Sequence, residues 1–158
     1  MDRNTPTRVL LVEDNPGDAR LLREILSDQT AQAIEFDRPG VSDAIDLHHA
    51  ADGVDAMEFL QREGSFADAP RPDLILLDLN LPRMDGREVL ARIKEDEDLR
   101  TIPTVILTTS DAEADILRSY QLQANAYLNK PVQLGDFESL VKSITDFWLL
   151  KVQLPQQR

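Results

Sequence analysis

The feature that most constrains this chain is a set of short apolar runs, each closed by a polar residue able to do chemistry. Arg8-Val-Leu-Leu-Val12 runs into Glu13-Asp14, and Leu74-Ile-Leu-Leu77 runs into Asp78. Thr104-Val-Ile-Leu-Thr108 ends on a hydroxyl, and Ala126-Tyr-Leu-Asn129 is followed by Lys130. Continuous apolar runs of this length read as strands buried on both faces. With Ile45 to Ala50, which alternates, they make five strands.

Helical periodicity fills the gaps. Ala19, Leu22, Ile25 and Leu26 share a face after Pro16, and Val54, Met57 and Leu60 share another after Asp52-Gly53. Residues 85–96 carry Val89, Leu90 and Ile93. Ser110 with Glu113 reads as a capping box for a helix over 111–122, and a last helix runs from Val132 to Leu150. Residues 62–72 read as a loop. Five strands alternating with five helices imply an α/β fold, a doubly wound parallel sheet with helices on both faces. Right-handed crossovers leave few topologies, among them the flavodoxin-like order 2-1-3-4-5. The expected organisation is a tail over 1–6, one domain over 7–150 with an irregular insertion at about 29–44, and a tail over 151–158.

Composition excludes several classes. There are no cysteines among the 158 residues, so disulfides, thiolate metal sites and thiol catalysis are absent. A net charge of −12 repels a nucleic-acid backbone. The acidity fits a solvated surface or a salt-adapted host. No apolar run is long enough to span a bilayer and no signal-peptide pattern opens the chain, so a cytoplasmic protein is expected.

Ligands of open α/β sheets bind beyond the carboxyl ends of the strands, where the strand order reverses. In the order 2-1-3-4-5, strands one and three are neighbours there, so Asp14 and Asp78 converge. Crowded carboxylates repel unless a cation lies among them, and an all-oxygen donor set suits Mg²⁺. Asp78 has the position of a carboxylate nucleophile, Lys130 can neutralise phosphoryl oxygens, and the Thr108 hydroxyl can donate to one. His48 and His49 are adjacent, so on a strand they point to opposite faces and cannot chelate together.

These segments resemble the receiver domain of two-component response regulators over about Thr7 to Leu150. The likeness is carried by Val9-Leu-Leu-Val-Glu-Asp14, Leu76-Leu-Asp-Leu-Asn80 with Pro82 and Asp85-Gly86, Ile106-Leu-Thr-Thr109, and Tyr127-Leu-Asn-Lys-Pro131. The resemblance implies that Asp78 accepts a phosphoryl group from a histidine kinase. It implies Mg²⁺ ligation by Asp14, Asp78 and the backbone carbonyl of Asn80, with Glu13 acting through water. It further implies a Thr108–Tyr127 switch and a cis peptide between Lys130 and Pro131. Thr109 departs from the family, which prefers a very small residue there. The loop before Pro72, Leu-Thr-Thr-Ser110, Ala124-Asn-Ala-Tyr127 and the aromatic tail resemble the single-domain regulators paired with phytochrome-type kinases.

On the last helix, Leu134, Phe137, Val141, Ile144 and Trp148 form a stripe for the core. Apolar residues beyond it suggest a homodimer interface, with Phe147, Trp148, Leu149 and Leu150 as its expected members. Output is then expected through that dimer, a downstream protein target or a phosphotransfer protein. Two rivals remain. A haloacid-dehalogenase-type phosphatase needs an acid two residues after the nucleophile, where this chain has Asn80. A degenerate receiver would lack one of the acidic, Thr or Lys positions, all of which are filled.

Overall fold

The structure is a computed structural model and describes residues 6–35, 45–149 and 152–155. Its elements alternate: β1 (Thr7–Val12), α1 (Pro16–Glu35), β2 (Ile45–Ala50), α2 (Gly53–Gln61), β3 (Leu74–Leu77), α3 (Gly86–Glu95), β4 (Thr104–Thr108), α4 (Glu113–Gln121), β5 (Ala126–Asn129) and α5 (Leu134–Ile144). All strand pairs are parallel and the sheet order is β2-β1-β3-β4-β5, as the flavodoxin-like expectation required.

The two faces of the sheet divide the apolar residues by parity. Leu10, Val12, Ile75, Leu77 and Ile106 pack with Met57, Leu60, Val89, Leu90 and Ile93 of α2 and α3. Val9, Leu11, Leu74, Leu76, Val105 and Leu107 pack with Leu22, Leu26, Phe137, Val141 and Ile144 of α1 and α5. Both faces are therefore dry, which is why these strands tolerate no polar alternation until their ends.

Register makes those ends level. Val12 lies opposite both Ala50 and Leu77, and Thr108 lies opposite Asn129. The ladder then continues one step past the strands: Glu13 N–H donates to Ala50 O at 3.0 Å, Asp78 N–H to Val12 O at 3.0 Å, and Lys130 N–H to Thr108 O at 2.8 Å. The chemically capable residues thus hang on backbone hydrogen bonds rather than on free loops.

Several local expectations need correction. The segment read as irregular from residue 29 is helical as far as Glu35, because the first strong breakers are Pro39-Gly40 and the residues before them permit a helix. Residues 36–44 lie outside the described residues. Ser110 does not cap α4, which starts at Glu113 with no side-chain cap. Its hydroxyl instead donates to Asp115 Oδ2 at 2.6 Å, a charged and therefore stronger acceptor. The regular α5 stops at Ile144 and continues as a π-helical segment over Thr145–Leu149. Leu134, expected in the core, is 58% exposed because it opens the helix and faces away from the sheet.

The loop between β3 and α3 is packed so closely that two glycines are obligatory. A Cβ on Gly86 would lie 2.2 Å from the carbonyl oxygen of Asp78, and one on Gly53 would lie 2.0 Å from that of Met84. Both collisions are with backbone, which cannot swing aside. Gly53→Ala should therefore destabilise the fold by about 1–3 kcal/mol in urea titration, as an overpacked site does. Gly135→Ala, where a Cβ meets nothing, should be neutral or stabilising, so equal losses at both positions would contradict this packing.

Candidate functional site

The carboxyl edge gathers Glu13 and Asp14 from the end of β1, Asp78 from β3, Thr108 from β4 and Lys130 from β5. Ligand atoms of Glu13, Asp14 and Asp78 all lie within 4.8 Å of one another. Asp14 is exposed, whereas Glu13, Asp78, Thr108 and Lys130 are buried. The ammonium of Lys130 bridges the two buried carboxylates of the set and reaches a third on α1. The Lys130 ammonium donates to Asp78 Oδ2 at 3.0 Å, to Asp18 Oδ2 at 3.2 Å, and to Glu13 Oε1.

Asp78 is held on both oxygens, since the Asn80 N–H donates to Oδ1 at 3.1 Å. Burial alone would raise its pKa. Hydrogen bonds from the Thr108 hydroxyl and the Asn80 N–H, with the Lys130 charge, outweigh burial and keep the carboxyl below its ordinary value. Glu13 goes the other way: burial pushes it up to about 7 despite its bond to Lys130, and the Asp78 charge adds to the rise. For Lys130, burial is opposed and overcome by Glu13 and Asp78, so the ammonium stays charged well above its usual range. The site therefore presents an ionised acceptor beside a permanent cation.

The Lys130–Pro131 peptide is trans, not cis as the resemblance implied. Trans is the intrinsic preference of such a bond by about 0.5–1 kcal/mol, and Lys130 reaches all three carboxylates from it. Thr108 and Tyr127 are also near one another in the network. Ser110 N–H lies 3.5 Å from Thr108 Oγ1, and the Tyr127 hydroxyl donates to Ser110 O at 2.8 Å. Of the expected interface residues, Trp148 and Leu149 pack on the chain's own core, while Phe147 is 55% exposed. Leu150 lies outside the described residues. The His48 ring lies tilted against Phe59, with ring centroids 5.2 Å apart, and the His49 ring donates to Glu13 O at 2.7 Å, so each is engaged in a separate structural contact.

Sequence reasoning overlooked Asp18. Its signal was an acidic residue in the first turn of α1, a place such residues often occupy to oppose the helix dipole. Only the tertiary fold, which carries Lys130 from the end of β5 across the carboxyl edge to the first turn of α1, brings the two together at 3.2 Å.

The response regulator receiver domain model matches residues 9–144. This chain is a response regulator receiver. The receiver is 46% identical over 154 residues to response regulator Rcp1 of Synechocystis sp., with 98% of this chain and 97% of that protein covered. It is 38% identical to the probable methanogenesis regulatory protein FilR2 of Methanothrix harundinacea, covering 94% and 88%. The structure of the Mn²⁺-bound form of Rcp1 matches with a TM-score of 0.84, covering 96% of this chain and 100% of that one. The structure of the phosphorylated cyanobacterial phytochrome response regulator RcpA matches with a TM-score of 0.84 at 43% identity, covering 96% and 100%. Within its family the receiver is like the phytochrome response regulators.

The donor set fits a hard divalent cation: three clustered carboxylates, all oxygen, with no His or Cys among them. Lys130 carries the electrostatic burden of the buried pair. Lys130→Met should cost about 3–5 kcal/mol of unfolding free energy in chelator, since Glu13 and Asp78 lose their counter-charge. Denaturant titration giving a loss below about 1 kcal/mol would contradict that role.

Proposed function

We propose that this receiver takes a phosphoryl group on Asp78 from the phosphohistidine of a histidine kinase, in a reaction requiring Mg²⁺. The carrying observation is the Asp78 carboxylate itself, ionised and held at a strand end by Lys130 and the Asn80 N–H. An Asp78 oxygen attacks phosphorus, the bond from phosphorus to the kinase imidazole breaks, and that nitrogen retains the electron pair. Glu13, Asp14, Asp78 and the backbone carbonyl of Asn80 would hold Mg²⁺, which neutralises phosphoryl oxygens when bound. Lys130, already at 3.0 Å from the acceptor, takes a second share of that charge, and Thr108 donates from the β4 end. The metal and phosphoryl group named in the structures of Rcp1 and RcpA support this reading.

The kinase partner is of the phytochrome type, a reading supported by likeness to the phytochrome response regulator RcpA, and the pair is expected to meet in the cytoplasm. Among the described residues, no helix is long and apolar enough to cross a membrane. The acidic surface sets nucleic acid aside as the direct target. The signal passes to a protein, either a downstream target or a phosphotransfer protein, or through a homodimer centred on the exposed Phe147. Thr108 and Tyr127 form the switch: the Thr108 hydroxyl, which bonds the Asp78 carboxylate, follows the phosphoryl oxygens once they are added and so changes the space open to the Tyr127 ring.

Acetyl phosphate should label wild type only with Mg²⁺ present, and Asp78→Asn should abolish the label. Labelling that survives either the substitution or EDTA would contradict the assignment. In sedimentation at tens of micromolar a dimer should appear and Phe147→Asp should dissociate it; a wild-type monomer with and without phosphodonor would remove the dimer.

A further inference from the structure

α4 is weakly bound to the body of the receiver by apolar packing. Ser119 is its buried residue, while Leu117 and Tyr120 on the same helix are open to solvent. Its first turn is held instead by charge. Arg87 of α3 grips Asp115 of α4 with both edges matched, Nε to Oδ1 at 2.7 Å and Nη2 to Oδ2 at 2.7 Å. The third nitrogen, Nη1, is anchored on α3 by Asp85 Oδ2 at 3.0 Å and reaches the Leu79 carbonyl at 3.5 Å. Leu79 adjoins the acceptor.

Asp115 in turn holds the β4–α4 segment. The Ser110 hydroxyl donates to Asp115 Oδ2 at 2.6 Å. The backbone carbonyl of Ser110 then receives the Tyr127 hydroxyl at 2.8 Å and Asn129 Nδ2 at 2.6 Å. A continuous chain of polar contacts therefore leads from the residue after Asp78 to the ring at position 127. The bidentate Arg–carboxylate pair is the strong member of it, and it keeps the Asp115 carboxyl down at about 2.

We propose that Arg87 and Asp115 form a latch that holds Ser110, and through it Tyr127, against the movement that phosphorylation of Asp78 drives. The idea rests on Asp78 being the acceptor. A phosphoryl group there takes the Thr108 hydroxyl and draws residues 108–110 with it, whereas the latch ties Ser110 to α3. The partners of Arg87 and Asp115 are each other, Asp85, the Leu79 carbonyl and Ser110, so the pair positions the segment that responds. Because coupling is reciprocal, a receiver with the latch weakened binds a phosphoryl mimic more tightly.

Beryllofluoride with Mg²⁺ serves as the probe, titrated against wild type, Arg87→Gln, Asp115→Asn and the double variant. Each single variant should bind on the order of five-fold more tightly, and the double variant no more tightly than either single one. The amide resonances of Ser110 and Tyr127 in the unliganded variants should shift along the line joining unliganded and liganded wild type. A merely structural tie has the opposite sign: loosening it would weaken binding. Unchanged or weaker binding, or additive effects in the double variant, would overturn the latch while leaving the acceptor in place. Failure of wild type itself to bind the probe would remove both.

Discussion

Everything at the carboxyl edge depends on one buried ammonium. Three carboxylates face Lys130, two of them buried, and without that cation their mutual repulsion and desolvation would oppose the convergence of β1 and β3. Against the burial that would raise the Asp78 pKa, hydrogen bonds from Thr108 and Asn80 together with the same Lys130 charge hold it below its ordinary value. Stability and chemistry therefore share one residue. The fold tolerates this because the cation and the carboxylates sit on ladder hydrogen bonds that extend the sheet by a step.

Much of this was legible in the sequence because the site falls where two simple patterns meet. Leu74 to Leu77 admits no polar residue and then stops at Asp78; Val105 to Leu107 does the same and stops at the Thr108 hydroxyl. A parallel sheet buried on both faces makes such runs unmistakable, and crossover handedness narrows the strand order to a few topologies that include the observed one. Sequence reasoning failed where tertiary partners decide. Ser110 has the signature of a helix cap, but Asp115 already carries a charge fixed by Arg87 and captures the hydroxyl. Asp18 is indistinguishable in sequence from a helix-dipole acid until β5 delivers Lys130 beside it. The extent of α1 was missed because local composition, not apolar periodicity, sustains its last turns.

The apolar residues of the last helix show the same division. Phe137, Val141 and Ile144 are claimed by the sheet, and Trp148 and Leu149 fold back onto it, leaving Phe147 edge-on to Trp148 and exposed. The chain's surface thus divides into a packed end, with Phe147 left open on it, and the charge-held α4. A helix with little buried apolar area and polar fastenings is the element most easily moved by a change at Asp78.

The most direct measurement is the position of the phosphoryl group. After exposure to acetyl phosphate and Mg²⁺, borohydride reduction converts an aspartyl phosphate to homoserine, which peptide mass spectrometry locates. The expected result is conversion at position 78 alone. Conversion at Asp14, Asp18 or Glu13, or at no residue, would contradict the role assigned to the carboxylate that Lys130 holds.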